Sequence, residues 1–158
     1  MNKSQTLFFT GHRDLGDYPE LRELLKNTIT AFINKGYKYF VAGGALGFDT
    51  LAADCVLELK AEGKEIKLIL MLPCKNQADR WSPAAIRKYQ GHLKAADKVI
   101  YVSETYTKGC MFARNRAMAD ASSVCVAYCN KTDGGTAYTL KYASTLNLTV
   151  INLADVER

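Results

Sequence analysis

The chain has 158 residues, 48% hydrophobic and 23% charged, the size and balance of one compact domain, so residues 1–158 are expected to fold as a single unit. The longest uninterrupted apolar run, Leu68 to Pro73, is far too short to span a bilayer, and no basic segment leads into an apolar stretch and a cleavage site, so a cytoplasmic protein without membrane contact is expected. A formal charge of +5, with no block of like charges, suits an anionic ligand, but ordinary surface solvation explains it equally well.

Along the chain, strand, glycine-rich or polar loop, and amphipathic helix alternate. Thr6 to Thr10 reads as a strand; Gly11-His12-Arg13 follows it, and Asp17 as N-cap with Pro19 in the first turn opens a helix stopped by Gly36. Tyr37 to Ala42 is the second strand, Gly43 to Asp49 a loop, and Thr50 to Glu62 a helix stopped by Gly63. Ile66 to Leu72 is continuously apolar apart from Lys67, as a parallel strand covered on both faces should be. After a long polar loop, Pro73 to Trp81, Ser82-Pro83 starts a helix to about Ala95. Strands at Lys98 to Val102, Val124 to Tyr128 and Thr149 to Leu153 alternate with helices at Cys110 to Ala121 and Thr136 to Leu146. Six strands and five helices in alternation imply a doubly wound, mostly parallel α/β sheet of Rossmann-like build with helices on both faces; the strand order is not fixed by this pattern.

The unusual residues gather in loops that follow strand C-termini, the edge where such sheets bind ligands and where helix N-termini point unpaired amides. Gly43-Gly44-x-x-Gly47 and Gly134-Gly135-Thr136 each lie between a strand and a helix, the context in which a glycine loop cradles a phosphate or carboxylate. The alternative is a pair of tight turns without a ligand. Neither segment is a dinucleotide fingerprint or a Walker loop, so hydride transfer with NAD and ATP hydrolysis are unsupported, and no cofactor is expected. The five cysteines form no Cys-x-x-Cys pair and read as reduced, packed thiols; no metal site is expected. Cys110, at a helix N-terminus, and Cys74, on the same edge, are the two that would be reactive if any were.

Phe9-Thr10-Gly11-His12-Arg13, Gly43-Gly44-Ala45-x-Gly47-x-Asp49, Pro73-Cys74 with Trp81, Gly109-Cys110-Met111-x-x-Arg114-Asn115-x-x-Met118 and Gly134-Gly135-Thr136-x-x-Thr139 together resemble the YpsA-like branch of the SLOG superfamily, from Phe8 to about Ile151. The resemblance implies a Rossmann-like fold related to the LOG phosphoribohydrolases, often labelled lysine decarboxylase-like, and more distantly to the DNA-processing protein DprA. Members are thought to bind nucleotides or nucleotide-derived signals. LOG enzymes use an Arg from a Met-x-x-Arg helix, matched by Arg114, and a Glu shortly after a Gly-Gly-x-Gly-Thr loop, whose nearest position here is Thr139. A threonine supplies no carboxylate, and Asp49 is the nearby motif residue that would have to replace it.

The leading expectation is therefore a module that senses or sequesters a nucleotide-derived small molecule, acting through a homodimer, a partner protein or simple removal of its ligand. Arg114 is assigned to phosphate or ribose and Asn115 to ribose or base, or the two form a solvated surface pair, and Arg13 is assigned to a bidentate phosphate contact. His12 would donate to the phosphate or shuttle a proton, or be structural. Asp49 would meet ribose hydroxyls or a base amine, or simply interact with the helix dipole. Trp81 or Arg80 would stack on a base, or Trp81 would pack on the sheet. The second expectation is a nucleoside monophosphate N-glycosidase with Arg114 and Asp49 as catalytic residues. The third, single-stranded nucleic-acid binding through Arg114 and Arg116, is disfavoured because no basic stripe accompanies the charge.

Overall fold

The computed structural model describes residues 1–156. Its strands are β1 (Thr6–Gly11), β2 (Tyr39–Ala42), β3 (Lys67–Leu72), β4 (Lys98–Tyr101), β5 (Val124–Tyr128) and β6 (Thr149–Asn152). Its helices are α1 (Leu21–Asn34), α2 (Phe48–Ala61), α3 (Pro83–Ala95), α4 (Cys110–Asp120) and α5 (Gly134–Thr145). All neighbouring strands run parallel, in the order β4-β3-β2-β1-β5-β6. No helix among the described residues is long and apolar enough to cross a membrane.

The order follows from how the chain fills the sheet. From β1 it lays β2, β3 and β4 outward to one edge, then crosses back through α4 to set β5 against the free side of β1. Side chains alternate between faces. Leu7, Phe9, Phe40, Leu68, Leu70, Val124 and Val126 pack with Leu25 and Ile29 of α1, Val56 of α2 and Tyr89 of α3. Phe8, Val41, Ile69, Met71, Cys125 and Ala127 face the opposite way, onto Met118 and Ala119 of α4 and Ala143 of α5. Each fully buried Leu, Ile or Phe contributes about 1.5–3 kcal/mol, and β1, buried on both faces at Leu7, Phe8 and Phe9, is the centre of both clusters. The loop after β1 leads to one face and the loop after β5 to the other. They part above adjacent strand ends and leave a crevice at the topological switch point.

Several boundaries differ from the sequence expectation. The α1 helix starts at Leu21, not after Asp17, because the Asp14 side chain accepts a hydrogen bond from the Gly16 N–H (2.9 Å) and Gly16 turns the chain at φ +62°, which keeps Asp17 and Pro19 in the loop. The α2 helix starts two residues early, at Phe48, which places Asp49 in its first turn. The α5 helix likewise starts at Gly134, so its diglycine opens the helix instead of preceding it.

Gly47 shows why a glycine is needed where α2 begins. It sits at φ +79°, and a Cβ there would collide with the Arg13 carbonyl. The Gly47→Ala variant is expected to lose about 2–4 kcal/mol in urea unfolding, combining backbone strain with a forced shift of the β1–α1 loop. Gly91→Ala, in the middle of α3 with open space around the new methyl, should instead gain about 0.5–1 kcal/mol. Equal effects at the two positions would contradict this packing.

Candidate functional site

A cavity of about 240 Å³ lies at the switch point, with the ends of β1, α2, α4 and α5 converging on it. Gly11, His12, Arg13, Asp49, Arg114, Asn115, Gly135 and Thr136, eight of the residues singled out in the sequence, line it together. Thr10, Ala45 and Met111, which stand in the quoted motifs but were given no binding role, also line it. Met111 lies one turn before Arg114 on the same face of α4, which is why the Met-x-x-Arg spacing brings both to the cavity.

Arg114 organises the site. Its side chain is only 5% exposed, and its guanidinium donates to three partners: Nε to Asn115 Oδ1 (2.7 Å), Nη1 to the Gly43 carbonyl, and Nη2 to Met111 Sδ (3.9 Å). Burial lowers its pKa from the ordinary value, and Asp49 opposes that shift. Gly43 is glycine because of this arrangement: a Cβ there would stand 2.5 Å from Arg114 Nη1 and 2.8 Å from Asp49 Oδ2. Gly43 therefore directs its carbonyl toward the guanidinium.

Asp49 is buried in the first turn of α2, and its Oδ2 accepts from the Ala45 N–H (3.2 Å). It makes no salt bridge within 4 Å among the described residues. Burial pushes its carboxyl up to about 6, against the lowering influence of Arg114, the Ala45 N–H and Arg13. A buried carboxyl that holds its proton almost to neutrality thus faces the same cavity as a buried guanidinium.

His12 serves as a clamp. Its Nε2 accepts from the Asn130 N–H (3.0 Å), its backbone N–H donates to the Tyr128 carbonyl (3.3 Å), and its carbonyl accepts from the Phe48 N–H (3.1 Å). The β1, β5 and α2 ends are joined through this one residue. Burial and Lys131 lower its pKa, so the ring is neutral near pH 7 with its proton on Nδ1. Arg13, by contrast, is exposed at the cavity and takes part in no salt bridge among the described residues.

The two diglycine segments differ. Around Gly134 and Gly135 there is open space for a side chain, Gly134 sits at φ +92°, and no side chain caps the α5 N-terminus. In the Gly43–Gly47 turn the Ala45 N–H is taken by Asp49 and the Phe48 N–H by His12, while Gly44 packs against Leu72 and Gln77. Gly43, Gly44, Gly47, Gly134, Trp81 and Thr139 are not among the residues lining the cavity. Thr139 is buried one turn into α5 with its hydroxyl donating to the Gly135 carbonyl (2.8 Å), and Trp81 packs edge-on against Tyr89 beside a separate cleft.

An all-parallel six-stranded sheet with helices on both faces and a polar crevice at its switch point defines a Rossmann-like α/β domain. Within that fold class the chain belongs to the YspA SLOG family, whose profile matches residues 7–153. It is 34% identical over 137 residues to the SPbeta prophage-derived protein YoqJ of Bacillus subtilis, covering 78% of this chain and 80% of that one. It is 32% identical over 118 residues to a UPF0398 protein of Shouchella clausii, covering 66% of this chain and 63% of the relative. Among solved structures, 94% of the chain superposes on DNA processing protein A (DprA) from Streptococcus pneumoniae at TM-score 0.68 and 20% identity. DprA from Helicobacter pylori, described for its single-stranded DNA binding mode, superposes at TM-score 0.67 and 20% identity, again over 94% of the chain. The chain spans 50% and 64% of those two proteins, and the likeness shows a common fold.

The Asp49 environment gives a pH prediction. A carboxyl whose folded pKa is raised from 3.8 to about 6 binds its proton more tightly in the folded state, so it lowers stability as pH rises through that window. Measured by urea unfolding from pH 4 to 7, the stability of wild type relative to Asp49→Asn should fall by about 2–2.5 kcal/mol, most of a two-unit shift at about 1.4 kcal/mol per unit, the remainder lying below pH 4. Parallel curves for the two proteins would contradict the burial of this charge.

Proposed function

We propose that the protein binds a nucleotide or nucleotide-derived small molecule, with the anionic end in the switch-point cavity, and acts as a sensor or sequestering module. The observation that carries this reading is the meeting of two guanidiniums, one buried and one exposed, with the open N-terminus of α5 in a single cavity. The helix end contributes only about 0.3–1 kcal/mol, so the arginines supply most of the anion affinity. Arg13 takes the phosphate bidentately, while Arg114, with N–H groups beyond those bonded to protein, supports it from below. Asp49 repels a phosphate and is suited to ribose hydroxyls, and Asn115, whose Oδ1 is held by Arg114, keeps its amide N–H groups for ribose or base. On this reading residues 1–158 act as one cytoplasmic domain, alone, as a homodimer or with a partner protein.

A second reading, nucleotide N-glycosidase chemistry, is favoured by Asp49, whose carboxyl near 6 suits a general acid or base. It is weakened by Thr139, which offers a hydroxyl already bonded to Gly135. A third, single-stranded nucleic-acid binding, draws on the ligand named for the Helicobacter pylori relative. It also draws on an exposed ring pair, Phe112 and Tyr138 with centroids 4.8 Å apart, beside Arg116.

A thermal-shift panel of nucleoside monophosphates, ADP-ribose and cyclic nucleotides tests the proposal. A ligand at a hundred times its dissociation constant should stabilise by about 2.7 kcal/mol. Arg13→Ala, at an exposed position, should weaken that ligand about tenfold or more with the unliganded melting temperature unchanged. No response to any nucleotide would defeat the proposal. Free base in the incubation would favour the glycosidase, and affinity rising with oligonucleotide length and falling steeply with salt would favour nucleic acid.

A further inference from the structure

A second cavity, of about 280 Å³, lies between α2 and α3 on the other flank of the Gly43–Gly47 turn: Ala45 faces the switch point, whereas Gly44, Leu46 and Gly47 face this cleft. Leu46 and Leu51 supply aliphatic lining, and Trp81 and Tyr89, edge to face with centroids 5.2 Å apart, supply aromatic lining. One side is polar. Asp54 of α2 holds Lys88 Nζ at 2.7 Å through Oδ2 and His92 Nε2 at 2.7 Å through Oδ1.

The hydrogen-bond inventory of that side determines what it accepts. Burial alone would raise the Asp54 carboxyl, but the bonds from Lys88 and His92 outweigh it and hold it below the ordinary carboxylate range, so it is ionised and only accepts. The Nε2 of His92 must then be the donor. The ring's other nitrogen, Nδ1, has no hydrogen-bond partner among the described residues, although His92 is only 7% exposed. Each Asp54 oxygen also keeps a lone pair. A clamp that merely ties α2 to α3 needs no open space beside an indole and a phenol; this one borders a ring-sized cleft with spare acceptors.

We infer that the α2–α3 cleft binds a flat heterocycle bearing an exocyclic amine, of the adenine, cytosine or guanine type. The ring packs on Trp81 and Tyr89, and the amine donates toward the Asp54 carboxylate. This goes beyond the anion site, because the contacts involve no phosphate.

Trp81 is the only tryptophan in the chain, so its fluorescence reports directly on the cleft. Adenosine, which carries no phosphate, should quench it with a saturable curve. Uridine, which lacks the amine, should bind at least tenfold more weakly, and inorganic phosphate should leave the signal unchanged. Ala85→Phe, at a partly exposed position lining the cleft, should abolish the adenosine response. In wild type alone, the Trp81 indole N–H resonance should shift with adenosine and not with phosphate, which covers the case in which the variant folds poorly. A linear, unsaturable quench, equal binding of uridine, or an unchanged response in folded Ala85→Phe would overturn the inference. None of these outcomes depends on Arg13, so this inference and the switch-point reading fail separately.

Discussion

The site depends on a guanidinium held out of water. Unpaired, a buried charge of this kind costs several kcal/mol, and Arg114 is kept in place by the hydrogen bonds it donates to Asn115 on its own helix and to the Gly43 carbonyl in the turn after β2. Those two anchors belong to opposite layers of the molecule, since α4 covers one face of the sheet and α2 the other. The Arg114 contact to Gly43 therefore ties the layers together above the sheet, where the diverging loops would otherwise leave them apart. It also excludes a side chain at Gly43 and holds positive charge near Asp49, whose carboxyl would sit higher still without it.

The alternation of elements was legible because each signal is local. The apolar run ending at Leu72 has the composition of a strand buried on both faces, and the Ser82-Pro83 start of α3 is realised, with the Ser82 hydroxyl capping Ala85. Strand order was not legible, because placing β5 against β1 depends on which faces α3, α4 and α5 cover, and no window of sequence encodes that. The start of α1 was misplaced for a nameable reason: Asp14 and Gly16 form a turn that competes with the cap offered by Asp17.

Within the site, convergence of Arg13, Asp49, Arg114 and Asn115 was legible from the rule that ligands meet open α/β sheets at strand C-termini. The difference between the two diglycine segments was not. A glycine beside open space and one that makes room for a carbonyl read alike, and only the packing separates Gly135 from Gly47, which stands against Arg13. Trp81 was placed on the correct edge, but Tyr89 holds it in the neighbouring cleft. The Asp54, Lys88 and His92 cluster went unseen although Lys88 and His92 stand four residues apart on one helix face, because their partner lies on another helix.

On the proposed reading, buried Arg114, exposed Arg13 and the open start of α5 act on one anionic guest. A ¹H–¹⁵N NMR titration with adenosine monophosphate tests it most directly. The Gly135 and Thr136 amides and the Nε–H signals of Arg13 and Arg114 should shift together, with a single dissociation constant. Shifts confined to residues away from the switch point, or none at millimolar ligand, would contradict it.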